Sequence, residues 1–116
     1  MTNIRQCRMF KLSMEFIETS LFSKLISEYL SDEEYSALQW MLLARPDAGK
    51  VVSGSGGLRK LRWAAPGRGK SGGYRVIYYW RDHQDQIWLL TIYAKNEAAS
   101  IPAHVLREIK KEIDDD

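Results

Sequence analysis

Arg75 stands in the run Tyr74-Arg75-Val76-Ile77-Tyr78-Tyr79, and Lys60 and Arg62 stand in a similar run, Leu58-Arg59-Lys60-Leu61-Arg62. If both runs are strands and lie side by side, Lys60 and Arg62 project to one face, because side chains alternate along a strand. With Arg75 projecting from the neighbour, three cations converge on a region the size of a phosphate. A guanidinium binds such an anion bidentately and an ammonium adds a compact point charge, so the chemistry indicated is recognition of a phosphodiester. These residues belong to a longer block. From Lys50 to Arg81 there are eight basic residues, including Arg59, Arg68 and Lys70, and not one acidic residue. The rest of the chain holds nine basic residues against all 15 acidic ones, although the whole carries a formal charge of only +2. A field of one sign concentrated on part of a small domain steers polyanions toward it and gains from counterion release. A merely solvated strand face accounts for scattered cations but not for the exclusion of every acid.

Other chemistries are disfavoured. His83 lies beside Asp82 in a predicted turn and His104 early in a predicted helix, so both read as surface histidines rather than a ribonuclease pair. No cluster of His, Cys, Asp and Glu has metal-ligand spacing, so no metal or other cofactor is expected. The glycine-rich segment lacks the spacing of a nucleotide-binding P-loop and leads into a strand, not a helix. The single cysteine, Cys7, precludes an internal disulfide and fits a reducing compartment, with the cytoplasm as the expected location. No apolar run approaches the roughly 20 residues that span a bilayer.

The elements that must position these residues follow from pattern. At 116 residues and 45% hydrophobic content the chain fits one domain, residues 14–116, with a flexible extension expected over residues 1–13. Leu12 to Glu18 predicts a first strand, and Thr19 or Ser20 caps a helix from Leu21 to Leu30 whose stripe is Leu21, Phe22, Leu25, Ile26, Tyr29 and Leu30. Ser31 or Asp32 caps a second helix with Tyr35, Leu38, Met41 and Leu42 on one face, ended by Arg45-Pro46. The two helices make a hairpin. Asp47 to Gly57 is a glycine-rich connector. Strands follow at Leu58 to Ala65, Tyr74 to Trp80 and Gln86 to Tyr93, the first two joined by a basic loop from Pro66 to Gly73. Pro102 to Ile113 predicts a last helix with Val105, Leu106, Ile109 and Ile113 on one face. The fold class expected is α+β: a small, largely antiparallel sheet packed against an N-terminal helical hairpin and a C-terminal helix. Tyr74, Tyr78, Tyr79, Trp80, Trp88 and Tyr93 could stack on bases, although packing within the sheet explains most of them.

The chain from Met14 to about Ile113 resembles the RelE/ParE superfamily of bacterial toxins, and within it the HigB-like ribosome-dependent messenger-RNA interferases. The resemblance rests on Phe16-Ile17-Glu18, on Glu28-Tyr29-Leu30-Ser31-Asp32-Glu33-Glu34-Tyr35, on Gly56-Gly57-Leu58-Arg59-Lys60-Leu61-Arg62, on Gly72-Gly73 with the Tyr74 to Tyr79 run, and on Leu89-Leu90-Thr91-Ile92-Tyr93-Ala94-Lys95-Asn96-Glu97. It implies a RelE-like fold and a metal-independent endoribonuclease that cleaves mRNA in the ribosomal A site by attack of a ribose 2′-hydroxyl on the adjacent phosphate. It also implies a cognate antitoxin, of the helix-turn-helix DNA-binding, HigA-like kind. On this resemblance Arg75 matches the catalytic arginine, with Lys60, Arg62 and Lys95 as further catalytic candidates. Arg59, Arg68, Lys70 and Tyr93 are the expected RNA-binding residues. The chain departs from some relatives at Asn96, where they carry an arginine, and at Ala98 to Ser100, where they carry a tyrosine. Two competing readings are a non-enzymatic toxin of the same fold, like the gyrase inhibitors, and a plain RNA- or ribosome-binding module.

Overall fold

The computed structural model describes residues 7–8, 14–64, 73–94 and 103–114. The first element is β1 (Cys7–Arg8), followed by β2 (Glu15–Glu18), α1 (Ser20–Tyr29), α2 (Asp32–Ala44), β3 (Lys50–Val51), β4 (Arg59–Trp63), β5 (Tyr74–Arg81), β6 (Gln86–Ala94) and α3 (Ala103–Asp114). The strands form one six-stranded sheet in the order β1-β2-β6-β5-β4-β3.

The chemistry of each helix start explains where it begins. Thr19 is extended and its side chain accepts from the Phe22 amide at 3.1 Å, satisfying one of the donors left open at the start of α1. Ser31 and Glu34 form a reciprocal capping box, each accepting from the other's amide at 3.1 and 2.8 Å. Asp32, Glu33 and Glu34 then place negative charge in the first turn of α2, where the helix dipole favours it. That helix stops at Ala44 with Arg45 as its C-cap, immediately before Pro46.

The sheet separates two cores. On one face Phe16, Leu61, Val76, Tyr78, Ile87, Leu89 and Ile92 pack with Phe22 and Ile26 of α1 and Tyr35, Leu38 and Leu42 of α2. On the other, Ile17, Ile77, Trp88, Leu90 and Tyr93 pack with Leu106 and Ile113 of α3. Full burial of one such aliphatic or aromatic side chain is worth about 1.5–3 kcal/mol. The first core also contains a buried carboxylate. Glu18 accepts from the Ser23 hydroxyl and the Tyr35 hydroxyl, both at 2.6 Å, which ties β2 to both N-terminal helices.

Several expectations are corrected. The sheet is largely antiparallel, as expected, but one pair departs from that: β2 pairs with β6 in parallel, in the register Phe16↔Ile87 and Ile17↔Trp88. A chain that leaves β2 through two helices and three strands can return beside it in either direction, and strand patterns carry no record of direction. The connector from Asp47 contains β3, an edge strand antiparallel to β4. Within the expected extension, Cys7 and Arg8 pair with Phe16 and Glu15. The strand expected from Leu12 to Glu18 is β2, Glu15–Glu18, with Leu12 and Ser13 outside the described residues. Val105 is exposed, whereas Leu106 and Ile113 are buried. The basic loop from Pro66 lies outside the described residues as far as Ser71 and Gly72.

Candidate phosphate-binding face

Strands β4 and β5 are antiparallel, with Arg62 directly opposite Arg75, Leu61 opposite Val76 and Lys60 opposite Ile77. Directly opposed residues share a face. Leu61 and Val76 are buried in the α1/α2 core, so Lys60, Arg62 and Arg75 project to the α3 side of the sheet. On β6 the partner of Arg75 is Tyr93. One row across three strands therefore reads Arg62, Arg75, Tyr93.

Tyr93 reaches this row because β6 contains a bulge. Ile77 pairs with Thr91 but Tyr78 pairs with Leu89, which leaves Leu90 without a partner across the ladder. The extra residue reverses the alternation beyond it. Ile87 and Leu89 face α1 and α2, and so does Ile92, three residues on; Trp88, Leu90 and Tyr93 face α3. Without the bulge, Tyr93 would sit on the opposite face from Arg75. The carbonyl of Leu90 accepts from the Thr19 hydroxyl at 2.7 Å and that of Leu89 accepts from the Thr19 amide at 3.1 Å. One residue thus caps α1 and holds the bulge.

Arg62 is exposed and Arg75 half-buried, and among the described residues neither they nor Lys60 makes an ion pair. Like charges directly opposite one another destabilise a sheet, so the Arg62–Arg75 pair is an electrostatic cost with no described carboxylate to offset it. The Tyr93 side chain is buried, and burial raises its hydroxyl pKa above the usual tyrosine value; the Arg75 charge pulls the other way. Near neutral pH the hydroxyl keeps its proton, next to a guanidinium.

The other expected site residues divide. Arg59 lies on the opposite face of β4, where its Nη1 donates to the carbonyls of Gly49 at 2.8 Å and Asp47 at 3.3 Å. Its guanidinium also lies over the Trp80 ring, 6.0 Å from the centroid. Arg59 therefore fastens the loop before β3 rather than joining the row. Arg68, Lys70 and Lys95 lie outside the described residues. Arg81, at the far end of β5, donates from Nη2 to the Ile113 carbonyl at 3.2 Å and lies over the Tyr79 and Trp88 rings. It places a cation at the C-terminal end of α3, where the dipole favours one.

Sequence reasoning missed Lys50 as a member of this face. It pairs with Lys60 across β3 and β4 and so projects to the same side. The signal was a cation inside a glycine-rich connector, with no alternation to mark a strand. The loop that delivers it depends on Gly49, whose amide donates to the Tyr78 hydroxyl at 2.9 Å. A β-carbon there would come within 2.8 Å of the Tyr78 ring, so the close approach needs glycine. The Tyr78 hydroxyl in turn donates to the Pro46 carbonyl at 2.7 Å, and burial raises its pKa.

No group of three or more His, Cys, Asp or Glu among the described residues is placed to hold a metal ion. No described helix is long and apolar enough to cross a membrane. The arrangement offers two forked cations, two ammoniums and, beside Arg75, the neutral hydroxyl of the buried Tyr93, a donor set suited to an anionic phosphoryl group.

The sequence matches the family described as RelE toxin of the RelE / RelB toxin-antitoxin system over residues 14–114. The chain belongs to the RelE toxin family.

Proposed function

We propose that this toxin is a metal-independent endoribonuclease that cleaves mRNA in the ribosomal A site. The observation that carries the reading is the Arg62–Arg75 pair, opposed across two strands beside Tyr93, with neither arginine in an ion pair among the described residues. In the proposed reaction a ribose 2′-oxygen attacks the adjacent phosphorus and the 5′-oxygen departs, leaving a 2′,3′-cyclic phosphate and a 5′-hydroxyl. The substrate supplies the nucleophile, so the protein's task is to orient the phosphate and stabilise charge on it as the pentacoordinate state forms. Arg75 and Arg62 donate to the non-bridging oxygens, and Lys60 adds positive charge beside them. The protonated Tyr93 hydroxyl acts as a hydrogen-bond donor to the phosphate or ribose and not as a base. Lys95 follows Ala94, the β6 partner of Tyr74, and completes the proposed catalytic set; Arg68 and Lys70 extend the RNA contact.

A cognate antitoxin of the helix-turn-helix, HigA-like kind would silence the toxin by covering this face. An acidic segment complements its charge. The test is induced expression followed by mapping of RNA ends. Translated messages should break within codons and carry 2′,3′-cyclic phosphates, and a folded Arg75→Ala protein should leave them whole. Growth arrest with intact messages and damaged DNA would instead indicate a gyrase-type toxin, and the ribonuclease reading would be abandoned.

A further inference from the structure

The cations on this face form two rows rather than one. Lys60 and Arg62 are separated by one residue on β4 and share its face, and Lys50 stands directly opposite Lys60 on the edge strand β3. The second row therefore reads Lys50, Lys60, Ile77, parallel to Arg62, Arg75, Tyr93. Each row opposes two like charges across a strand pair, an arrangement that destabilises a sheet. Among the described residues neither Lys50 nor Lys60 has an ion-pair partner. An open groove of about 480 Å³ at β3 and β4 is lined by Lys50, Lys60 and Arg62, together with Ala48, Val51, Val52 and Leu61. Because Arg62 lines the groove and also faces Arg75, one ligand can occupy both rows. Two residues along a strand advance about 7 Å, on the scale of one nucleotide step in an extended single strand.

We propose that Lys50 and Lys60 form a second phosphate subsite, which holds the backbone phosphate next to the one held by Arg62 and Arg75 in a single-stranded RNA. The substrate backbone then runs along β4 across both rows, and Lys50 contributes binding outside the reacting linkage. This inference rests on the phosphate-binding reading of Arg75. An acidic protein segment is the competing occupant. The separation of the two cation rows, about 7 Å, matches the repeat of a polymer with one charge per nucleotide.

The experiment titrates a short single-stranded oligoribonucleotide, blocked by a 2′-deoxy sugar at the central position, into the unsubstituted protein and into Lys50→Met at several salt concentrations. Methionine keeps the apolar stem and removes the charge; Lys50→Glu serves as the stronger perturbation, and thermal melts confirm that both variants fold. Lys50→Met should bind roughly three- to tenfold more weakly, the worth of one partly exposed charged contact. The slope of log affinity against log salt should become shallower by about 0.7, the value for one phosphate on a single strand. A neutral methylphosphonate at the flanking linkage should weaken binding to the unsubstituted protein and have little further effect on Lys50→Met. The subsite is overturned by unchanged affinity and slope in both Lys50 variants, or by full additivity of the methylphosphonate and Lys50→Met. It is also overturned if only binding of an acidic peptide responds to Lys50→Met. Loss of cleavage in Arg75→Ala beside an inert Lys50 would overturn this inference alone, whereas full cleavage by a folded Arg75→Ala protein would overturn the ribonuclease reading beneath it.

Discussion

Arg75 and Arg81 lie on the same strand and the same face of the sheet, yet their surroundings differ in every respect. Arg81 lies over Tyr79 and Trp88, donates to Gln84 and Gln86, and holds the last turn of α3 through the Ile113 carbonyl. Arg75, about 20 Å away at 3.3 Å per residue, faces another arginine and a buried tyrosine, and makes no ion pair among the described residues. The boundary between the two is α3. Leu106 and Ile113 of that helix cover Ile77, Trp88 and Leu90, and the cations beyond them stay accessible. Where a cation has partners it holds the fold together, and where it opposes its like it raises the folded state's energy and suits an anion from outside. Arg59 and Lys60 repeat the contrast as neighbours on β4, one spent on loop carbonyls and the other facing Lys50.

The contrast can be broken at either end. The largest effect is expected from Arg75→Ala, which should lower cleavage about 10²- to 10³-fold, the cost of removing one donor that stabilises developing charge. Single-turnover assays on programmed ribosomes measure it. Next is Tyr78→Phe, which strips the partner from the Gly49 amide and the Pro46 carbonyl and should cost about 1–3 kcal/mol in urea unfolding. The same variant sharpens a pH effect. Burial holds the Tyr78 pKa above its unfolded value of about 10, so above that pH the unfolded state sheds the proton first and stability falls as pH rises through the folded pKa. The buried Tyr93 adds in the same direction. Unfolding titrations in alkali should show a shallower decline for Tyr78→Phe than for the unsubstituted protein.

Arg81→Ala should cost about 1–2 kcal/mol from the lost contacts to α3 and the rings, while cleavage per folded molecule stays at the unsubstituted level. Thr19→Val removes both the cap of α1 and the donor to the Leu90 carbonyl, at a cost of about 1 kcal/mol. It should also loosen the bulge, visible as faster amide exchange around Leu90 in β6. The smallest change is in the stability of Arg75→Ala, which should stay within a few tenths of a kcal/mol of the unsubstituted protein, because an opposed like charge is being removed.

How much of this could be read from the chain depends on how local each cause is. The alternation from Arg59 to Trp63 placed Lys60 and Arg62 together, because a strand's side-chain period is set by its own backbone. The capping residues Thr19 and Ser31 were legible for the same reason, as was the end of α2 before Pro46. The fate of Arg59 was not, since it depends on the loop from Pro46 to Gly49 folding back across β4 onto Tyr78. Nor was the side chosen by Tyr93. Unbroken alternation from Ile87 would have sent it toward α1, and only the bulge held by Thr19, 71 residues earlier, returns it to Arg75. Lys50 stayed hidden because a two-residue edge strand has no period to detect. The parallel pairing of β2 with β6 is likewise a long-range choice.

The division between the two arginines is tested by measuring cleavage and stability together for Arg75→Ala and Arg81→Ala, each variant's two assays on the same preparation. Opposite outcomes are expected: Arg75→Ala melts with the unsubstituted protein but cuts about 10²- to 10³-fold more slowly, and Arg81→Ala melts lower but cuts normally while folded. Normal cutting by a folded Arg75→Ala protein would contradict that division.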